Sequence, residues 1–266
     1  SSTDKTCEIA ENSFKSLGLR GKIVRNRNRM GPNASYNKGV LNATGDFILR
    51  TDADVIVKHD ALRKAIQVIS SIENVGGVTG TMAPISESST AATIVEERYR
   101  DLFDQMSIAE SALHSTFLGG GGFALIDKRA FSPIPVDKGA TDANISLSII
   151  KRGFRYIYIS ELLSIELVSC KIKDQVRQKI RRASRLIQSV FMNIDLFYSK
   201  KIKEFGSVVF PLRFFMVIIC PIITVLSSIL LFSFVYLASI LVFGGLIFCT
   251  ALLLLLGLKS KVKLFN

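Results

Sequence analysis

The chain is poor in the residues that build soft-metal and redox sites. Its 266 residues include two histidines, His59 and His114, and four cysteines. Cys7 and Cys170 lie far apart, Cys220 and Cys249 fall in an apolar segment, and no Cys-x-x-Cys pair occurs. A zinc centre therefore has no ligand set, and unpatterned cysteines fit a reducing, cytoplasmic setting. No Gly-Lys-Ser/Thr follows Gly119–Gly122, so that run is not a P-loop. Leu125 stands where a dinucleotide-binding Gly-x-Gly-x-x-Gly would need its third glycine. Internal repeats and low-complexity tracts are also missing.

The longest absence is of charge. From Phe214 to Leu258 there is no charged residue. A membrane helix needs about 20 apolar residues, so this stretch predicts two transmembrane helices joined near Ser233–Tyr236 or at Gly244-Gly245. The other reading is one or two buried core helices. Lys200, Lys201, Lys203 and Arg213 precede the stretch, and Lys259, Lys261 and Lys263 follow it. Basic flanks on both sides place both ends in the cytoplasm, which needs an even number of spans. The expectation is a multi-pass membrane protein with most of the chain on the cytoplasmic side. The net charge is +12; a membrane-lipid partner is expected and a nucleic-acid partner is not.

Upstream, strand-like and helix-like patterns alternate. Helices are expected over residues 3–17, 33–42, 60–72, 88–113 and 141–152, with Thr141 as the cap of the last. Strands are expected at Lys22–Arg25, in the run ending at Asp52, at Val75–Thr81, at Phe123–Ile126 and at Phe154–Ile159. This alternation predicts an α/β domain with a mostly parallel sheet.

Two carboxylates stand at one strand end. Asp46-Phe-Ile-Leu-Arg-Thr-Asp52-Ala-Asp54 runs from apolar residues into two acids one residue apart. Residues i and i+2 of a strand point the same way, so the pair can bind a hard cation, Mg²⁺ or Mn²⁺, alongside phosphate oxygens. The plainer reading is a solvated acidic loop. The glycine run either lets a loop approach a ligand or is a flexible surface loop. Over residues 171–191, Ile172, Val176, Ile180, Ala183, Ile187 and Val190 make an apolar stripe, with Arg177, Gln178, Arg181, Arg182 and Arg185 away from it. Such a helix can lie on lipid, pack on the sheet, or turn its arginines to a phosphorylated substrate.

The patterns also stand in a telling order. Ser-Ser-Thr-Asp-Lys-Thr opens the chain, then Gly31-Pro-Asn-Ala34-Ser-Tyr-Asn37-Lys-Gly39, Ala43-Thr-Gly-Asp46, Asp52-Ala-Asp54, the glycine loop, Thr141-Asp142 and Gln178-Lys-Ile-Arg181-Arg182. This series resembles the family 2 inverting glycosyltransferases of the Rossmann-like GT-A fold, especially the membrane-anchored cellulose- and hyaluronan-synthase-like branch.

The resemblance implies a donor that is a nucleotide-diphosphate sugar and an acceptor that is a growing saccharide or lipid-linked. Asp54 would hold the metal, helped by Asp52, which would also help place the donor. Asp142 would take the proton of the acceptor hydroxyl, with Glu96, Glu97 and Asp101 as the fallback bases. Asn37, Gly120, Gly121, Gln178, Arg181 and Arg182 would contact substrate. Arg182 stands where relatives carry the tryptophan of Gln-x-x-Arg-Trp, which bears on processivity. Ser1 falls inside a family motif, which implies an N-terminally truncated enzyme. A polyprenyl-phosphate sugar transferase and a non-catalytic membrane-anchored fragment remain alternatives. The expected organisation is a partial catalytic domain over 1–168, an amphipathic interface segment over 169–206, a transmembrane hairpin over 207–258 and a basic tail over 259–266.

Overall fold

The computed structural model describes residues 4–85, 90–119, 122–168, 171–202 and 204–263. Residues 1–214 and 215–266 form two compact units, and each is described by itself.

The first unit contains helices α1 (Thr6–Ser16), α2 (Pro32–Asn42), α3 (Ala61–Ser71), α4 (Ala91–Leu113), α5 (Thr141–Lys151), α6 (Ile172–Met192) and the short α7 (Phe210–Phe214). Its strands are β1 (Phe47–Arg50), β2 (Val55–Val57), β3 (Val75–Ile85), β4 (Ala124–Asp127) and β5 (Arg155–Leu167), in the order β1-β4-β3-β5-β2. The α/β class is as expected, but the sheet is mixed rather than mostly parallel. β3 pairs with β5 in parallel, whereas β1–β4, β3–β4 and β2–β5 are antiparallel. Alternation of helix and strand does not fix direction when β1 and β2, joined by four residues, go to opposite edges of the sheet.

Apolar periodicity explains the core. Ala61, Ala65 and Ile69 of α3 pack on Val75, Val78, Phe123, Leu125, Ile157 and Leu162. Gly77, next to Val78, instead faces Tyr156 and Ile149 of α5. Neighbouring strand residues point to opposite faces, so α3 and α5 cover the two sides of the sheet. α5 buries Ala143, Ile145, Leu147, Ile149 and Ile150. Among the described residues no strand lies on the outer side of the first half of β5. There, Ser111 Oγ and Ser115 Oγ accept the backbone N–H groups of Tyr158 and Tyr156 at 2.7 and 3.1 Å.

The strand expected at Lys22–Arg25 does not form. A strand needs a backbone partner, and here the Arg25 carbonyl is met by Lys38 Nζ at 2.8 Å. β2 was not expected, because three residues carry too little pattern. Thr141 is the first residue of α5 rather than its cap, which is Ala140.

α6 does not rest its apolar stripe on the sheet. Ile172, Val176 and Ile180 are exposed, whereas Ser189 and Val190 near its end are buried. Two of its basic residues reach buried acids while the rest stay exposed: Lys179 Nζ meets Glu96 at 2.6 Å and Arg182 Nη2 meets Glu166 at 3.2 Å. Arg100 joins the two acids, at 2.9 Å from Glu96 and 2.6 Å from Glu166. Burial alone would push Glu96 up, but hydrogen bonds from Lys179 and Arg100 outweigh it and hold its pKa below the ordinary value.

The second unit is dominated by α8 (Cys220–Lys263), 44 residues without interruption. The hairpin expected over 207–258 is therefore not seen: neither Ser233–Tyr236 nor Gly244-Gly245 breaks the helix. At about 1.5 Å per residue α8 is roughly 66 Å long. An isolated apolar segment satisfies its backbone internally only by staying helical. Among the described residues, one helix is long and apolar enough to cross a membrane, and α8 makes up most of it.

Gly80 sits where β5 bulges toward β3. A Cβ there would lie 2.2 Å from the Leu162 carbonyl oxygen and 2.4 Å from its Cβ. Gly39, in α2, has open space around it. Gly80→Ala is expected to cost about 3 kcal/mol through overpacking, and Gly39→Ala to gain about 0.5–1 kcal/mol. Chemical denaturation of each variant checks the pair; equal effects would contradict the described register.

Candidate active site

The Thr51–Asp54 link joins one edge of the sheet to the other. It leaves β1 at Arg50, which is paired with Ala124, and enters β2 at Val55, which is paired with Glu166. The Val55 N–H donates to the Asp52 carbonyl at 3.2 Å, closing a turn around Ala53 and Asp54. Thr51 Oγ1 donates to the Gly122 carbonyl at 2.8 Å and ties this turn to the end of the glycine loop. Both carboxylates are exposed, Asp52 being half open to solvent and 3.2 Å from Arg50 Nη2.

Gly119 and Gly122 explain part of the glycine run. A Cβ on Gly122 would meet Met82 Sδ at 2.8 Å and Ser164 Oγ at 2.9 Å, and one on Gly119 would meet the Tyr156 hydroxyl at 2.6 Å. These glycines are required by close packing next to the acidic turn. Gly120 and Gly121 lie outside the described residues.

Asp142 lies in the first turn of α5 and is half-buried. Its Oδ1 accepts the Ala143 N–H at 2.9 Å. The negative charges of Asp54, Asp142 and Glu166 all bear on Asp52. The acids singled out in the sequence thus share one electrostatic neighbourhood, joined by Glu166. Burial first, and then these charges, hold the Asp52 carboxyl above its ordinary pKa, while Arg50 opposes them.

The other expected contacts distribute differently. Gln178, Arg181 and Arg182 are exposed on α6, with Arg182 engaged by Glu166. Asn37 is not turned to a ligand. Its Nδ2 donates to the Ile134 carbonyl at 2.7 Å and its Oδ1 accepts the Ile134 N–H at 3.0 Å, so both polar ends are committed to backbone. Glu96 is likewise committed to Arg100 and Lys179, which removes it as a fallback base. Glu166 was missed, since one acid inside an apolar strand gives no pattern. The Glu96–Arg100 pair was visible as an i, i+4 match.

Among the described residues no group of three or more His, Cys, Asp and Glu side chains is arranged to hold a metal ion. Two exposed carboxylates without a third protein ligand suit Mg²⁺ or Mn²⁺, which keep coordination positions for water and phosphate oxygens.

Comparison with known proteins agrees with this architecture. Residues 1–134 match the family described as Glycosyl transferase family 2, and the chain belongs to that family. Asp142 lies beyond the matched residues. The chain is 25% identical over 166 residues to an N-acetylglucosaminyltransferase of Azorhizobium caulinodans, covering 58% of this chain and 41% of that protein. It is 26% identical over 212 residues to a poly-beta-1,6-N-acetyl-D-glucosamine synthase of Staphylococcus aureus, covering 77% and 49%. Among solved structures it resembles a mannosyltransferase of Pyrobaculum calidifontis in complex with GDP-Man and Mn²⁺, with a TM-score of 0.61 and 25% identity over 73% of this chain and 53% of that one. The chain spans about half the length of the curated relatives it matches.

A carboxyl with a raised pKa costs folded-state stability once it ionises. The metal-free protein should therefore gain stability as the pH falls toward the Asp52 pKa, which lies above 3.8. Asp52→Asn is expected to raise the melting temperature at pH 7 and to flatten this part of the pH dependence. Thermal melts between pH 7 and pH 5 test it; a lowered melting temperature at pH 7 would contradict repulsion at Asp52.

Proposed function

We propose that this protein is a metal-dependent, inverting glycosyltransferase, held at the membrane with its catalytic unit on the cytoplasmic side. It transfers a sugar from a nucleotide-diphosphate donor to a growing saccharide or lipid-linked acceptor. The observation that carries the reading is the gathering of Asp52, Asp54 and Asp142, from two separate parts of the chain, into one electrostatic neighbourhood at the sheet end. Family membership supports it, and the names of the bacterial relatives favour N-acetylglucosamine as the sugar.

The chemistry follows from what each group can do. Asp54 and Asp52 would hold Mg²⁺ or Mn²⁺, which neutralises the charge that develops on the departing diphosphate. Asp142 accepts the proton of the acceptor hydroxyl as that oxygen bonds to the anomeric carbon. The bond from the anomeric carbon to the diphosphate oxygen breaks, and the nucleoside diphosphate leaves with its electron pair. One displacement inverts the anomeric centre, and no carboxylate nucleophile is needed. Gln178, Arg181 and Arg182 lie on one helix where they can meet acceptor or phosphate, and Gly120 and Gly121 would contact substrate as the family resemblance implies. Arg182 in place of an aromatic ring offers charge rather than a stacking face to the acceptor. α8 supplies the membrane anchor, and the exposed Ile172, Val176 and Ile180 give α6 a lipid-facing edge.

Calorimetry and turnover with UDP-N-acetylglucosamine and GDP-mannose test the assignment. Asp54→Asn is expected to abolish the Mn²⁺-dependent part of donor binding. Asp142→Asn is expected to leave donor binding nearly intact and to cut turnover by roughly 10²–10⁴-fold, the usual worth of a general base. Metal-independent donor binding that survives Asp54→Asn would contradict the metal role. A raised KM with turnover preserved in Asp142→Asn would make Asp142 a binding residue.

A further inference from the structure

The segment that delivers Asp142, residues 134–141, is held largely by side chains reaching in from elsewhere. From α2, Asn37 takes both the N–H and the carbonyl of Ile134. Asn33, fully buried on the same helix face, donates to the Pro135 and Lys138 carbonyls at 2.7 and 2.9 Å. Its Oδ1 accepts the Thr141 hydroxyl at 2.5 Å. From α5, Asn144 donates to the Lys138 carbonyl at 2.9 Å. From α6, Gln188 Oε1 accepts the Gly139 N–H at 3.0 Å and Ser189 Oγ accepts the Ala140 N–H at 2.9 Å. Ser189 then donates to Asn144 Oδ1 at 2.8 Å. Gly139 has a φ of +77°, and a Cβ on it would lie 2.6 Å from both Asn144 Oδ1 and Ser189 Oγ. The backbone just before Asp142 is thus seated directly on this clamp.

Packing alone would not call for such an arrangement. Asn33, Asn144 and Ser189 are buried polar residues whose partners include backbone groups, so apolar side chains in their place would leave those N–H and C=O groups unpaired. Directional hydrogen bonds do what apolar packing does not: they fix where a backbone goes.

We propose that Ser189, Gln188 and Asn33 are positioning residues for Asp142, and that through Ser189 and Gln188 the seating of α6 sets the placement of the base. This rests on reading Asp142 as the base. α6 also carries Lys179 and Arg182, which bind it to Glu96 and Glu166 beside the acidic turn. One helix therefore spans both halves of the site, and its position aligns the base with the donor.

The test compares Ser189→Ala, Gln188→Ala and Gln188→Glu in the membrane-prepared protein, each alone and combined with Asp142→Asn. Turnover is normalised to donor-binding sites, so loss of folded protein does not count. Ser189→Ala should cut turnover about 10–100-fold with donor affinity within about twofold, as expected for a small misplacement of a catalytic group. Gln188, being exposed, should fold as Ala; that variant should lose turnover about threefold or more, and Glu, which keeps an acceptor oxygen, should restore it. In the Asp142→Asn background neither Ala variant should change residual turnover by more than about twofold, because positioning residues act through the group they position. Full turnover in Ser189→Ala and Gln188→Ala, or losses that multiply with Asp142→Asn, would overturn the inference. If Ser189→Ala does not fold, the Gln188 pair decides. Normal turnover in Asp142→Asn itself is the separate result that would overturn the base reading, and this inference with it.

Discussion

Negative charge at one end of the sheet is the constraint around which the rest is arranged. Asp52, Asp54, Asp142 and Glu166 share a neighbourhood in which burial and the neighbouring carboxylates raise the Asp52 pKa. Like charges at close range resist assembly unless cations or solvent offset them. The protein supplies Arg50 to Asp52, and Arg100 and Arg182 to Glu166. Asp54 and half of Asp52 are left to solvent, which is where a divalent cation and a diphosphate would complete the balance. Glu166 is buried and doubly paired, so its part is to place Arg182 and the strand beside Val55 rather than to meet a ligand.

α6 is the element that connects this charge to the rest of the unit. Read from its sequence, its arginines are the side for solvent or substrate and its isoleucines the side for protein or lipid. In the structure Lys179 and Arg182 turn inward to buried acids, and the apolar stripe stays outside. Buried acids need partners more than exposed isoleucines need cover, since an unpaired buried charge costs several kcal/mol. The same helix buries Ser189 against the segment before Asp142. A surface that suits lipid, a charged link to the acidic turn and a hydrogen-bonded link to the proposed base thus lie on one rigid body.

Much of this was legible in the sequence. The helices announced themselves by period and by punctuation, and Asp52, Asp54 and Asp142 were singled out by type, spacing and order as candidates, a role that stays a proposal. What escaped was of two kinds. Strand direction and β2 depend on which edge a four-residue link reaches, and no local pattern encodes that. The roles of Asn37, Glu96 and Glu166 depend on partners roughly 65 to 100 residues away in the chain, so a residue that looks suited to a ligand is instead spent on backbone or on an ion pair. The apolar run reads as two helices joined by a turn, whereas α8 is continuous, because a serine or glycine pair within an apolar run does not by itself end a helix.

The stereochemistry of transfer tests the central claim most directly. A single displacement driven by one base at Asp142 requires the new glycosidic bond to have the anomeric configuration opposite to that of the donor. Proton NMR of the product formed in the first turnovers, before any mutarotation of free sugar, reads this without a variant. An inverted anomeric proton is the result this account predicts. A retained configuration would contradict it, because retention needs a second displacement or a front-face route that the proposed roles of these residues do not provide.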